Sequence, residues 1–182
     1  MRKIEVEIEG QSPLLMHSPK SMFEPKGVRT MVKESPEIEA EKYAYRMKDG
    51  DLYVPSTAIF GAIMNGSSFK KAEKYSLRSV IAGNIRIEPN DEIPLGTKNY
   101  TVDIRTIVNQ QGKRKSRIII GRPKLDKWKL NFTIVYNDQI IIKPEWVQAA
   151  LEDAGVRVGL LAFSPRNSGS FGTFKINKFK VI

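Results

Sequence analysis

Few side chains in this sequence could perform acid–base chemistry. The single histidine, His17, lies beside Met16 and Pro19 in a stretch without regular periodicity. An imidazole titrates near neutral pH and can act as a general base when a partner positions it. Lys20 or Arg29 could be that partner, so a metal-independent endoribonuclease is one alternative function. A surface or packing role for a lone histidine is the simpler interpretation, and we favour it.

The sequence gives little support for metal binding or nucleophilic catalysis. Asp49 and Asp51 flank Gly50, a pattern that could hold a cation but is also typical of a turn, and we predict the turn. The chain has no cysteine, which excludes disulfides and thiolate chemistry and favours a reducing compartment. No phosphate-binding loop, zinc-protease or serine-hydrolase motif is present. We therefore predict a protein without enzyme activity, cofactor or bound metal.

The charge balance points to a polyanionic partner. The chain has 30 Lys and Arg residues against 20 Asp and Glu, a formal charge of +10. Such an excess favours nucleic acid, because binding releases condensed counterions. A soluble basic protein without such a partner is the alternative. No apolar run approaches the roughly 18 residues of a membrane span, so we expect a cytoplasmic protein with no membrane contact.

Many of the positive charges fall between residues 100 and 130. Two β-prone runs, 100–108 and 117–120, predict a hairpin whose tip is 109–116. Flexible cations on such a hairpin can follow a phosphate backbone, whereas the alternative is a charged hairpin that protects a sheet edge. Only Asp103 and Asp126 oppose these cations. They are Arg105, Lys113, Arg114, Lys115, Arg117, Arg122, Lys124, Lys127 and Lys129.

A second candidate binding segment is the glycine- and serine-rich stretch 156–172. Side chains of Arg166, Asn167 and Ser168 could donate hydrogen bonds, and Gly169 and Gly172 would let the backbone approach a phosphate. Phe163 and Phe171 could stack on bases, although aromatic residues before a final strand more often pack in a core. A plain connecting loop is the alternative.

Periodicity predicts the elements that must position these groups. Alternation of apolar and charged residues predicts a first strand at 4–9, followed by a long loop over 11–36. Further patterns predict helices at 37–46, 56–66 and 144–154 and strands at 80–87, 128–136 and 173–182. The core order strand, helix, strand, strand, helix, strand is the split βαβ pattern of ferredoxin-like and RRM-like α+β folds. We predict one domain over 1–182, with insertions at about 11–51 and 97–125.

Three segments resemble the RAMP superfamily, the RNA-binding proteins of CRISPR effector complexes. Residues 52–63 resemble the segment that opens the family's first helix, 12–17 the turn after its first strand, and 159–174 its glycine-rich loop. Small phage and prophage proteins related to the backbone subunits look most similar. Phe60 stands where the family often has Lys or Arg, and the loop has fewer glycines than usual.

The resemblance implies non-catalytic binding of single-stranded DNA or RNA by subunits that assemble side by side. We therefore predict a homo-oligomer or filament that coats the strand; a protein-docking module of a phage or CRISPR-like complex is a further alternative. DNA versus RNA stays open. The predicted contact residues are Arg105, Lys113, Arg114, Lys115, Arg117, Arg122, Lys124, Arg166, Asn167, Ser168, Gly169 and Phe171.

Overall fold

A computed structural model describes residues 1–22, 35–111 and 114–182, with side chains described for 1–20, 35–108 and 117–182. Short 3-10 turns lie at Pro19–Met22, Ser67–Phe69 and Pro165–Asn167, and a π-helical turn at Ala154–Val158. The helices and strands are β1 (Arg2–Gly10), β2 (Leu14–Leu15), α1 (Pro36–Tyr43), β3 (Tyr53–Pro55), α2 (Ser56–Gly66), β4 (Lys71–Ala72), β5 (Tyr75–Ser76), α3 (Leu77–Ile81), β6 (Ile85–Glu88), β7 (Glu92–Pro94), β8 (Thr101–Gln111), β9 (Arg114–Leu125), β10 (Lys129–Tyr136), α4 (Glu145–Asp153) and β11 (Phe174–Val181).

The main sheet has four antiparallel strands in the order β11-β1-β10-β6. The strands of each βαβ unit are separated by a strand of the other unit: β10 lies between β1 and β6, and β1 between β10 and β11. This is the split βαβ arrangement, so the predicted α+β fold class is confirmed. The division into one domain with two insertions stays a prediction.

One face of the sheet packs against helices. Ile4, Ile8 and Leu130 are fully buried, because alternate side chains of a strand point to the same face. Helices α2 and α4 cover this face, and Gly66 lets them approach so closely that a Cβ there would overlap the carbonyl of Ala150. Helix α4, which leads into the glycine-rich segment, is therefore held tightly against α2.

The opposite face carries ion pairs. Glu5 pairs with Lys178 at 2.8 Å, and Glu9 with Lys175 and Lys129 at 3.3 and 3.6 Å. Among the described residues this face lacks the aromatic platform on which RRM sheets stack bases. A surface that binds nucleic acid is therefore expected outside this sheet face.

The hairpin of β8 and β9 is longer than predicted. Regular pairing runs from Thr101 opposite Lys124 to Gln111 opposite Arg114, so the prediction of a tip over 109–116 was wrong. Additional partners support β9: β2 pairs with its end, and α1 packs against it, with the Gly121 amide donating to Glu39 Oε2 at 2.8 Å.

Two other predicted boundaries need correction. The loop over 11–36 contains β2 and a 3-10 turn, and its residues 23–34 lie outside the described part of the chain. The predicted strand 80–87 begins only at Ile85. Its first residues end α3, and Gly83 in a left-handed conformation turns the chain. No helix in the described residues is long and apolar enough to cross a membrane.

Candidate nucleic-acid interface

The register of the hairpin places two predicted contact residues on one face. Asp103 lies opposite Arg122, and Arg105 opposite Ile120. Directly opposed residues of an antiparallel pair share a face, so Arg105 and Arg122 project to the same side. That side faces the glycine-rich segment, where both guanidinium groups contact phenylalanine rings.

Residues 159–172, here called the glycine loop, are closed by their own backbone. Gly159 and Gly172 have φ of +68° and +69°, a region that other residues adopt at a cost. The Leu160 amide donates to the Gly172 carbonyl at 2.9 Å, and the Gly172 amide donates to Pro13 at 2.8 Å. The loop is thereby fixed to the segment that follows β1.

The prediction that amides near Gly169 face a phosphate was wrong. The Asn167 and Gly169 amides donate to the Ser164 carbonyl at 2.8 and 3.0 Å, and Ser168 donates to Pro165 at 3.0 Å. A Cβ at Gly169 would overlap the Phe163 carbonyl. Contact with the chain's own backbone thus explains the glycine. The amides around it are satisfied by carbonyls of the same loop.

Arginines of the hairpin stack on phenylalanines of the glycine loop. Arg105 Cζ lies 4.6 Å from the Phe171 ring centroid and 5.9 Å from that of Phe163. Arg122 Cζ lies 5.0 Å from the Phe163 centroid. These are cation–π distances, and we call the four residues the arginine–phenylalanine junction. The hairpin and the glycine loop, predicted separately, therefore meet in one place.

Arg122 is buried within this junction, with 7% of its surface exposed. Its Nε donates to His17 Nδ1 at 3.0 Å, and its Nη1 is buried without a hydrogen-bond partner among the described residues. Burial lowers the pKa of Arg122, because desolvation penalises the charged form. Arg122 cannot follow a phosphate chain on the open surface, which corrects the prediction that grouped it with the exposed cations.

His17 supports Arg122. Its ring stacks on Tyr43 with centroids 4.2 Å apart, and Nδ1 accepts the Arg122 hydrogen bond, so the neutral ring carries its proton on Nε2. Partial burial, and then the Arg122 charge, lower the pKa of His17. A general base needs a free acceptor nitrogen, and here that nitrogen is already used.

The partners suggested for His17 catalysis lie elsewhere. Lys20 Nζ donates to the Arg46 carbonyl at 3.2 Å, and Arg29 lies outside the described residues. Asp49 forms the predicted turn, with its Oδ1 accepting the Asp51 amide at 3.0 Å. Within the described ranges, no group of three or more His, Asp or Glu side chains could hold a metal ion.

The other predicted contact residues differ in how available they are. Arg105 pairs with Asp103 at 2.5 Å and Lys124 with Asp126 at 3.1 Å, so both acids of this region offset a predicted cation. Arg117, Arg166, Asn167 and Ser168 are exposed. Lys113 lies outside the described residues, as do the side chains of Arg114 and Lys115.

Sequence reasoning missed the pairing of His17 with Arg122, which are 105 positions apart. It also missed the contact between the first insertion and the residue before β8, where Arg46 and Tyr100 both donate to Glu41. No periodicity or spacing could have found either contact, because each depends on how separate elements pack.

Fold and site together define a split βαβ protein with a basic hairpin seated on a glycine loop. No family model and no curated protein matches the sequence. Among solved structures, a chain in the cryo-EM structure of the type III-B Cmr-beta bound to cognate target RNA has a TM-score of 0.58 and 17% identity. The match covers all of this chain and 60% of that one, so our chain is similar to part of a longer protein.

A second solved structure is Cmr6 from Pyrococcus furiosus, with a TM-score of 0.49, 13% identity and coverage of 94% of this chain and 97% of that one. The likeness to the Cmr-beta chain establishes a shared fold. The relationship to the RAMP superfamily rests on the sequence motifs. The more specific resemblance to phage and prophage proteins stays a prediction.

Proposed function

We propose that this chain is a non-catalytic subunit that binds single-stranded nucleic acid across the arginine–phenylalanine junction. The observation that carries the proposal is the contact between Arg105 and Phe171 at 4.6 Å, which joins the basic hairpin to the glycine loop. Exposed Arg117 and Arg166 belong to these same two segments. Arg105 supplies positive charge beside aromatic rings, the combination by which proteins hold single strands without reading sequence. Arg117 lies at an odd spacing from Arg122 and therefore projects from the other face of the hairpin.

The net charge of +10 supports an electrostatic contribution to binding. The ion-paired sheet face supports the choice of the junction, since its lysines are already partnered by glutamates. The related fold is found in an assembly bound to target RNA, which favours a nucleic-acid role and a multi-subunit setting for this chain. Coating of the strand by a row of identical subunits is part of the proposal.

A fluorescence anisotropy titration tests the proposal. Labelled 40-nucleotide single strands of RNA and DNA are titrated with the protein at 50 and 200 mM salt. We expect binding at 50 mM that weakens several-fold at 200 mM, because phosphate contacts release counterions. Absence of binding to either strand at 50 mM salt contradicts the proposal. Size-exclusion chromatography of the same mixtures, read at 260 and 280 nm, reports how many subunits a strand carries.

The non-catalytic part has a separate test. RNA incubated with the wild type and with His17→Ala should remain intact in both, because the acceptor nitrogen of His17 is held by Arg122. Cleavage by the wild type that His17→Ala abolishes would establish the endoribonuclease alternative instead.

A further inference from the structure

An open pocket of about 450 Å³ lies beside Arg122, where β9, the glycine loop and the segment after β2 meet. Its volume falls within the range of roughly 300–1,000 Å³ that is usual for small-molecule sites. The described residues that line it are His17, Tyr45, Arg122, Leu161, Ala162, Phe163 and Asn167.

Aromatic and apolar groups form much of the wall. Tyr45 and Phe163 are half-buried there, and the His17 ring is held flat against Tyr43. Flat, partly apolar walls suit a planar ring, which gains stacking energy from them. A free phosphate would gain no stacking energy from these walls.

The polar groups of the pocket are rich in hydrogen-bond donors. Arg122 Nη1 is buried without a hydrogen-bond partner among the described residues, and His17 carries its proton on Nε2 because Nδ1 is used. Asn167 adds an amide whose contact with Ser164 Oγ is long, at 3.4 Å. No carboxylate is among the described lining residues. The lining therefore favours a ring with adjacent acceptors.

Building on the proposed function, we propose that this pocket receives one unstacked base of the bound strand and prefers guanine. Guanine presents two neighbouring acceptors, O6 and N7, to which arginine donates more often than to any other base edge. Adenine presents an amino donor in place of O6, which would meet the donors of Arg122 and His17. Guanine therefore satisfies the pocket and adenine does not.

The position of Phe163 links the pocket to the strand. Its ring contacts both Arg105 and Arg122, so the pocket opens beside the arginine–phenylalanine junction. A strand that crosses the junction needs to turn only one base into the pocket. In a single strand the cost of unstacking that base is small.

Two 12-nucleotide strands test the inference: all-adenine, and the same strand with one central guanine. We expect the guanine to raise affinity about tenfold, within the discrimination of a good arginine–guanine contact. Arg122→Met should reduce the ratio of the two affinities to one. Arg117→Met, on the same strand but on the opposite face of the hairpin, should keep the ratio. If Arg122→Met does not fold, Asn167→Ala should reduce the ratio.

Calorimetry with mononucleotides separates this inference from the proposed function. We expect GMP to bind the protein more tightly than AMP, and inorganic phosphate not to compete. Equal affinity for both strands, or competition by phosphate as strong as by GMP, overturns the guanine pocket while strand binding stands. Failure of these strands and of the 40-nucleotide strands to bind at 50 mM salt overturns the proposed function, and preferential GMP binding then still supports the pocket by itself.

Discussion

Replacing Arg122 by methionine separates what this residue contributes to stability from what it contributes to binding. Only 7% of the Arg122 surface is exposed. Among the described residues, its side chain donates one hydrogen bond, to His17, and its guanidinium stacks on Phe163. Methionine has a similar length and a flexible thioether that packs well against aromatic rings. The substitution removes the charge and leaves an apolar chain in its place.

The expected change in the free energy of unfolding is small because opposing contributions are of similar size. The lost hydrogen bond contributes about 1 kcal/mol and the lost cation–π contact up to about 2 kcal/mol. Removing the buried, unpartnered Nη1 recovers about 1–3 kcal/mol. We therefore expect a change within about 2 kcal/mol in either direction. Breaking a well-paired buried ion would instead cost about 3–5 kcal/mol.

Urea unfolding followed by circular dichroism measures this change. Arg117→Met is the matched control, since Arg117 is exposed on the same strand and should shift stability by less than about 0.5 kcal/mol. A loss of more than about 3 kcal/mol for Arg122→Met, with an unchanged control, would refute the reasoning. It would mean that Arg122 is held by interactions that stabilise the fold.

Three further predictions concern packing, hydrogen bonding and pH. Gly66→Ala should destabilise the protein by about 1–3 kcal/mol, because a Cβ would overlap Ala150 and lie 2.6 Å from the Ala154 nitrogen. Gly61→Ala is the control in the same helix: its Cβ would meet open space, so it should stabilise the protein by up to about 1 kcal/mol. Thermal unfolding measures both changes. Tyr100→Phe should cost about 0.5–1 kcal/mol by loss of the 2.7 Å bond to Glu41. In the wild type, burial and that bond raise the pKa of Tyr100 to about 12, so an ultraviolet titration of the variant should show one fewer late-ionising tyrosine, whereas Tyr45 and Tyr53, whose pKa burial also raises, should remain. The folded-state pKa of His17 lies below its unfolded value of about 6.5, so the free energy of unfolding should fall as pH drops from 7 to 5. In urea titrations, His17→Asn should flatten this dependence of the unfolding free energy on pH. An identical pH dependence in the variant contradicts this.

The core of the fold was predictable because its signals are local. Alternation in 4–9 and 128–136 identified the two central strands, and the helix starts at 56 and 144 were marked by proline and polar residues. The first half of the predicted strand 80–87 was wrong because weak alternation there cannot be distinguished from one helical turn. The short strand β2 was missed because two leucines carry no period.

The candidate site was only partly predictable. Composition identified the basic hairpin and the glycine loop as separate features, and their contact depends on the register of β8 and β9. Charge alone could not show that Arg122 is buried while Arg117 is exposed, since both are arginines on one strand. Gly169 and Gly172 were interpreted as positions where a phosphate could approach the backbone. In the structure, carbonyl groups of the loop itself occupy the space where a Cβ would lie.

The salt dependence of strand binding in a charge-removal variant tests the central claim most directly. The double variant Arg105→Ala and Arg166→Ala is compared with the double variant Lys71→Ala and Lys180→Ala, which removes the same charge from other exposed positions. The slope of log K against log salt should decrease in magnitude by about 0.7 for each lost phosphate contact, about 1.4 in all, in the arginine variant and little in the lysine variant. Equal slopes in the two variants would contradict binding across the arginine–phenylalanine junction.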